Sequence, residues 1–585
     1  STRKESSAAS DVYKRQPLFY EALNERRGPN EYYKRFNCKI PFLNGGLFEP
    51  IYKYEWKKTN IEIPDEFFSN DENTGLLDFF DMYNFTMNED EPLEKEVAVD
   101  PEMLGKIFEN LLDVKERKSK GAFYTPREIV HYMCQECLIN YLNKETNIDT
   151  TSLEVLIKYG EVIKDVDLNI RDKKDYKMPK FIIDNLEIID KALENVTVAD
   201  PSVGSGAFPL GMLNEIVKAR SIIVEYMTKD LDKWEKEDFI RNNKKSIYDL
   251  KKNAMKRSIF AVDIEPSAVD ITKLRLWLSL VVDADIRTIN TLPNLDYNIM
   301  VGNSLIEEFN GIKLFDEELL KERPKRKKKE ISNQISMNIQ GSEANIGIEQ
   351  EYQLLEDIQR LQSELFDTKE NSEKVRIKKD IEDKEWDLIE YKLNREKGLL
   401  FKDIEELKKQ KKSNRRPYFL WKLEFSKIFK EKGGFDIVIG NPPYIDSEDM
   451  MKYIPEVREY CKRKYNSAKG NWDIFIIFIE LGLRLLRQNG NMSYIVPNKL
   501  IGAKYSEALR AYIGKYSVKE LRDYSSVDVF KEADVYPVVF RVEKSNEKND
   551  IHINIMENKE EVKSKIIINK DMFYRDIYWD RYFVD

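Results

Sequence analysis

Phe435-Asp436-Ile437-Val438-Ile439-Gly440-Asn441-Pro442-Pro443-Tyr444 runs from buried-strand character into a glycine and then a halt. Two successive prolines lack the N–H groups that a sheet ladder needs, so the strand must end there. What stands at its carboxyl end is a stiff loop with one amide side chain (Asn441), one exposed carbonyl (Pro442) and one ring (Tyr444). Open α/β sheets bind ligands at such carboxyl ends. These residues suit a loop that holds a nucleotide base for chemistry on its amino group.

A second strand end lies upstream, at Asp200-Pro201-Ser202-Val203-Gly204-Ser205-Gly206-Ala207-Phe208. A strand closing in Asp, a glycine-rich bend and a helix start together bring backbone close to a ligand. A dinucleotide fold would want a third glycine where this chain has Pro209, and a ribose acid about 20 residues on. The next strand-end acid, Asp263, lies far beyond that, and no Gly-Lys-Ser/Thr ends the turn as a phosphate loop requires. A ligand without phosphates fits better. Asp200 can take an amino group, and the backbone at Gly204 and Gly206 can pack beneath it. Asp263 and Glu265 can accept ribose hydroxyls, and Asn303, closing a third strand, can bond an adenine edge. A strand-end Asp is also a common helix cap. The argument for a site is its repetition at successive strand ends on one edge of one sheet.

The chain has 585 residues, 41% hydrophobic and 34% charged, which suits a soluble protein of several domains with some very polar helices. No apolar run approaches a membrane span and no signal peptide is visible, so a cytoplasmic location is expected. Four cysteines make no disulfide framework. His131, Cys134 and Cys137 fall on a helical pattern with no second cysteine pair, and no metal site is expected. The net charge of −9 argues weakly against nucleic acid, but binding depends on local patches such as the basic runs 325–329 and 411–416.

Taken in order, residues 1–16 are a patternless end, and 17–97 read as a small helical unit containing a glycine bend at 41–48. Asp100-Pro101 opens a helix, and Thr125 should cap another, with Pro126 at its first position and Glu128 at its third. Strands at 196–200, 258–263 and 297–301 alternate with helices at 207–227 and 266–281. After the opening stretch come a helix at 474–486, a strand at 492–496, a helix at 498–512 and strands near 521–529 and 536–542. Such alternation means a mainly parallel sheet covered on both faces. The alternation breaks at 309–416, where Leu354, Ile358, Leu361 and Leu365, then Ile377, Ile381 and Leu388, keep helical spacing among charges. That segment is a long helical, coiled-coil-like insertion. The core therefore divides into 98–308 and 417–545. Residues 546–585 read as the start of a further, incomplete domain.

On these motifs the chain resembles the S-adenosylmethionine-dependent N6-adenine DNA methyltransferases of the gamma motif order. Within them it is similar to the type IIG restriction–modification methylases and related phage-defence methylases. Residues 121–126 look like motif X, 200–208 motif I, 263–266 motif II, 302–305 motif III and 441–444 motif IV. Residues 471–473 lie where motif V falls, 489–500 resemble motif VI, and 529–530 with 535–540 resemble motif VIII. The likeness spans about 98–545, including the lead-in 417–421, and 41–48 is similar to the helical connector of these enzymes.

The resemblance implies a seven-stranded Rossmann-like sheet with a helical amino-terminal connector. It implies S-adenosylmethionine as cofactor, held by Tyr124, Thr125, Asp200, Ser202, Gly204, Gly206, Phe208, Asp263, Ile264 and Asn303. It also implies an adenine flipped out of duplex DNA onto Tyr444, with Phe530 on its other face. Asn441 and the Pro442 carbonyl would accept the amino hydrogens and make the nitrogen a nucleophile. Duplex DNA is the implied partner, with a nuclease or other defence-system subunit besides. A metal-dependent nuclease would need an acid beside a Glu-x-Lys. Glu55-Trp56-Lys57 is the early candidate, residues 17–54 hold no Asp, and no nuclease is expected in this chain. Two other readings stay open: the same chemistry on RNA or a protein glutamine, and a degenerate, non-catalytic DNA-binding scaffold.

Overall fold

The computed structural model describes residues 124–169, 177–282, 292–309, 311–321, 339–368, 370–395, 417–530, 535–575 and 578–583, with Leu407 and short pieces before residue 99. The expected end at 1–16, the bend at 41–48, the helix after Asp100, Glu55-Trp56-Lys57 and both basic runs lie outside the described residues, as does most of 17–97.

The main sheet is built from β1 (Val198–Asp200), β2 (Ile259–Asp263), β3 (Ile299–Val301), β4 (Phe435–Gly440), β5 (Leu486–Pro497), β6 (Ser517–Asp523), β7 (Pro537–Glu543), β8 (Ile551–Met556) and β9 (Val562–Ile568). Their order across the sheet is β9-β8-β6-β7-β5-β4-β1-β2-β3. Strands β1 to β5 pair in parallel, β7 runs antiparallel between β5 and β6, and β8 lies parallel to β6. The order reverses between β1 and β4, which opens a crevice at their carboxyl ends.

The expected seven strands are nine. Residues 551–568, expected to open a separate domain, add β8 and β9 to the same sheet. Their alternating apolar pattern is the signature of a half-covered edge, and β9 alternates intermediate and exposed along its whole length.

All six residues of β4 are buried. Ile437 and Ile439 enter one core and Val438 the other, so side chains alternate between two covered faces. The first face carries α1 (Arg127–Thr146) and α2 (Ala207–Met227); α3 (Pro266–Val282) follows β2. The insertion holds α4 (Ile339–Asp367) and α5 (Asn371–Arg395), which form a helical hairpin. Leu355, Ile358, Leu361 and Leu365 meet Ile377, Ile381 and Leu388 in one cluster with Phe315, Leu420 and Leu423. Its charged flank is fastened to the core by Asp296, 2.6 Å from both Lys273 on α3 and Lys378 on α5. Burial pushes that carboxyl's pKa up, but the two ammonium groups outweigh burial and hold it far below the ordinary range.

On the second face lies α6 (Phe475–Leu485), apolar nearly all round and buried. The single helix expected at 498–512 is two short helices, Lys499–Gly502 and Glu507–Ile513, with a tight turn between them. Arg510 is buried and donates to the Leu500 and Ala503 carbonyls, which braces the break between the two helices. Among the described residues no helix is long and apolar enough to cross a membrane.

Candidate active site

The carboxyl ends of β1, β2, β3 and β4 bring Asp200, Asp263, Asn303 and Asn441 to one edge of the sheet. The bend after β1 depends on two glycines in the left-handed region: Gly204 at φ +53° and Gly206 at φ +85°. A Cβ on Gly206 would lie 2.8 Å from the Thr272 hydroxyl, so α3 closes on bare backbone. Thr272 donates to the Gly204 carbonyl at 3.2 Å, and buried Arg275 donates to the Ser205 carbonyl. These two braces escaped the sequence reading. Their signal was a Thr and an Arg at i and i+3, which share one face of the helix.

Asp200 is 2% exposed. Its Oδ1 accepts from the Ser202 N–H at 3.1 Å, while Oδ2 has no hydrogen-bond partner among the described residues. Burial raises its carboxyl pKa well above the ordinary value, the Ser202 bond opposes this, and the charge of Asp263 adds to it. Asp263 accepts from Gly204 N at 2.8 Å and from Glu265 N at 2.9 Å, and burial still lifts its pKa. Two carboxylates thus stand at neighbouring strand ends with their negative charge under-compensated.

Ile264, next to Asp263, is 53% exposed, an apolar side chain standing at the rim. Asn303 is buried, and its Oδ1 accepts from Leu305 N at 3.2 Å. Ser304 donates to the Pro201 carbonyl at 2.7 Å and ties the β3 loop to the β1 loop. Gly302 lies so close to the lead-in that a Cβ there would sit 2.7 Å from Phe419. Ser202 is half-buried beside Asp200, and Phe208 is buried in the core, leaving only its backbone for a ligand.

Asn441 donates from Nδ2 to the Thr125 hydroxyl at 3.2 Å. Thr125 does not cap α1: the helix begins at Arg127, Pro126 occupies the cap position, and no side chain bonds the first turn. The hydroxyl turns to the neighbouring strand end instead. Tyr124 is half-buried just before it. Pro442 is buried, and half-buried Tyr444 donates to the Ile495 carbonyl at 3.1 Å. Burial pushes the Tyr444 hydroxyl pKa well up, which keeps it neutral. Phe530 reaches Tyr444 edge to face, with ring centroids 6.2 Å apart at 74°. Every predicted site residue is therefore within the described part; Asp200, Asp263 and Asn441 stand at the carboxyl ends of β1, β2 and β4, and Tyr444 meets Phe530.

His131 bonds a carboxylate, its Nδ1 lying 2.6 Å from Glu215 Oε1, and Cys134 and Cys137 are buried in the core. Among the described residues no group of His, Cys, Asp and Glu could hold a metal ion.

The fold is thus mixed α/β, built on a large central sheet that is parallel over β1 to β5 with β7 reversed. Residues 257–530 match the family described as Eco57I restriction-modification methylase. The chain is 28% identical to RM.MjaORFECS2P of Methanocaldococcus jannaschii, over 91% of this chain and 45% of that protein. It is 33% identical to the type II restriction enzyme and methyltransferase RM.Eco57I of Escherichia coli, over 20% of this chain and 12% of that one. With the type II methyltransferase M.TthHB8I of Thermus thermophilus it shares 31% identity, over 19% and 26% respectively. The chain thus spans less than half the length of these relatives. A solved structure of the type IIL restriction-modification enzyme MmeI with DNA aligns at 12% identity, over 97% of this chain and 54% of that one, with a TM-score of 0.49.

Proposed function

We propose that this chain is the modification part of a restriction–modification or phage-defence system, a DNA methyltransferase acting on N6 of a flipped adenine with S-adenosylmethionine. The observation that carries the reading is the meeting of three strand ends: buried, under-compensated carboxylates on β1 and β2, and a neutral Asn-Pro-Pro-Tyr loop on β4.

The crevice fits the cofactor on its own chemistry. A buried carboxylate oxygen with no hydrogen-bond partner among the described residues suits a cationic ligand. Bare backbone at Gly204 admits it closely, and exposed Ile264 offers an apolar face to its adenine. Asp200 would hold the ammonium group, and Asp263 would accept ribose hydroxyls. The bound cofactor supplies an electrophilic methyl on a positively charged sulfur.

The chain's own residues act on the acceptor. An adenine amino group is a poor nucleophile because its lone pair is shared with the ring. The Asn441 Oδ1 and the Pro442 carbonyl would accept its two hydrogens, which favours a tetrahedral nitrogen. That nitrogen would take the methyl from the cofactor's sulfur, and its extra proton would leave along one of those hydrogen bonds to solvent. Tyr444 offers its ring face to the base. Since Phe530 stands edge-on, one ring must turn for the base to be sandwiched. Orientation and electrostatics do the work, with no strong base. Duplex DNA is the substrate, the cytoplasm the site of action, and a nuclease or other defence subunit the natural partner.

The test is incubation with labelled S-adenosylmethionine and duplex DNA, followed by identification of the labelled base. Label on N6 of adenine is expected, and Asn441→Ala should lower transfer by about a hundredfold or more while cofactor binding stays. Label on cytosine, or only on RNA or protein, would overturn the reading.

A further inference from the structure

We infer that Thr125 is a positioning residue for the Asn441 amide, and that its hydroxyl works on the acceptor side of the reaction, away from the cofactor. The inference rests on the methyltransferase reading above and adds a residue to its machinery.

Thr125 Oγ1 receives the Asn441 Nδ2 at 3.2 Å across a sequence separation of 316 residues. Thr125 is 3% exposed, and the following Pro126 has φ −55°, so its backbone has little freedom. The helix it precedes is locked down. Gly211 on α2 approaches so closely that a Cβ there would lie 2.6 Å from Val130 on α1. One turn further along α2, Glu215 Oε1 lies 2.6 Å from His131 Nδ1, and Gln135 donates to the other oxygen at 3.1 Å. Glu215 is itself 3% exposed on α2. The hydroxyl is therefore a fixed point, set by α2 and presented to the loop after β4.

The terminal torsion of an asparagine is broad and roughly two-fold, so rotamer preference alone does not aim its oxygen. A bond from Nδ2 to a fixed hydroxyl defines the plane of the amide. A hydroxyl can donate as well as accept, so Thr125 alone does not choose between the two flips. The adenine amino group does. With Nδ2 on Thr125, the oxygen faces the amino hydrogens and donors meet acceptors at both ends. With the amide reversed, two NH₂ groups face each other. Without the hydroxyl the amide plane swings, and the nitrogen of the base is held in a productive geometry for less of the time.

The test compares wild type, Thr125→Val, Thr125→Ala, Thr125→Ser and Asn441→Ala on duplex DNA. Read-outs are saturating turnover, cofactor affinity by calorimetry and melting temperature. Valine keeps the shape of threonine and removes the hydroxyl; alanine is the second variant should valine not fold. Expected are a loss of about tenfold to a hundredfold in kcat for both, cofactor Kd within about twofold, and recovery of most activity in the serine variant. Weakened cofactor binding with unchanged saturating turnover would make Thr125 a cofactor ligand and overturn the inference. Unchanged turnover and affinity together would overturn it as well. Asn441→Ala separates the levels: if it abolishes transfer while Thr125→Val does not, only the inference fails. If Asn441→Ala keeps full activity, the methyltransferase reading itself is wrong.

Discussion

Asp200 closes β1 and Asp436 opens the neighbouring β4, so two aspartates stand at opposite ends of adjacent strands, each 2% exposed. Their surroundings differ completely. Asp436 accepts from the Thr197 N–H and hydroxyl, each at 2.8 Å, from Lys432 at 2.6 Å, and from Arg487. Asp200 has one backbone N–H, a like charge as neighbour, and an oxygen with no partner among the described residues. A buried charge that is fully paired holds a fold together, whereas one left short of partners marks a place for a ligand. Burial alone does not tell the two apart; the count of donors and cations does.

The largest effect should come from breaking the satisfied member. Asp436→Ala leaves Lys432 and Arg487 facing each other without their shared anion. It should cost about 3–5 kcal/mol in chemical denaturation, the usual loss when one partner of a buried pair is removed. A loss near zero would mean that Asp436 is not the structural member of the comparison.

Asp200→Asn should behave in the opposite way. Removing an under-compensated charge should leave the melting temperature unchanged or raise it. The affinity for S-adenosylmethionine should fall by about tenfold to a hundredfold, the worth of a hydrogen bond to a charged group. Calorimetry and a thermal melt on the same sample check both halves.

Gly206→Ala sharpens the geometry of the same bend. The backbone sits at φ +85°, and the new Cβ would press on Thr272. The change should cost about 1–2 kcal/mol of stability and loosen cofactor binding.

The smallest effect is on pH dependence. The folded-state pKa of Asp200 is raised above its unfolded value, so its contribution to stability is full below about pH 4. That contribution is lost as pH rises through the raised pKa. Melting temperature should decline over that window in the wild type, less so in Asp200→Asn, and saturating cofactor should shrink the decline. A pH profile identical in both proteins would remove Asp200 from the argument.

Much of the frame was legible in the chain. The helix at 207–227 lies where glycine and periodicity put it, and β1 and β2 begin only one or two residues later than expected. Both follow from local chemistry: glycines that bend, prolines that end a ladder, apolar runs that need two covered faces. The hairpin seam of Ile358, Leu361 and Leu365 was likewise a matter of spacing, since i, i+3 and i+4 positions share a face whatever they pack against. Leu355 is buried in that seam, and Leu354, expected there, packs only partly buried against it. The split of 498–512 was not legible, because the break is braced by the guanidinium of Arg510 on the Leu500 and Ala503 carbonyls, a contact invisible to periodicity. Nor were β8 and β9. An alternating stretch declares that it is a strand, but not which sheet it joins.

By itself, then, the sequence determined which residues end strands and open helices, and so which side chains stand at a carboxyl edge. These are consequences of φ limits, missing N–H groups and side-chain periodicity, all settled within a few residues. Only the tertiary structure decided who meets whom. Thr197 and Asp436 are 239 residues apart yet share a hydrogen bond, because β4 crosses the long insertion to pair with β1. That same pairing sets the Asn441 loop beside Asp200, turns Thr125 from a helix cap into the anchor of an amide, and leaves one of two equally buried aspartates short of partners. Contacts of this kind depend on strand order and on the total charge within a few ångströms, quantities that no local pattern encodes.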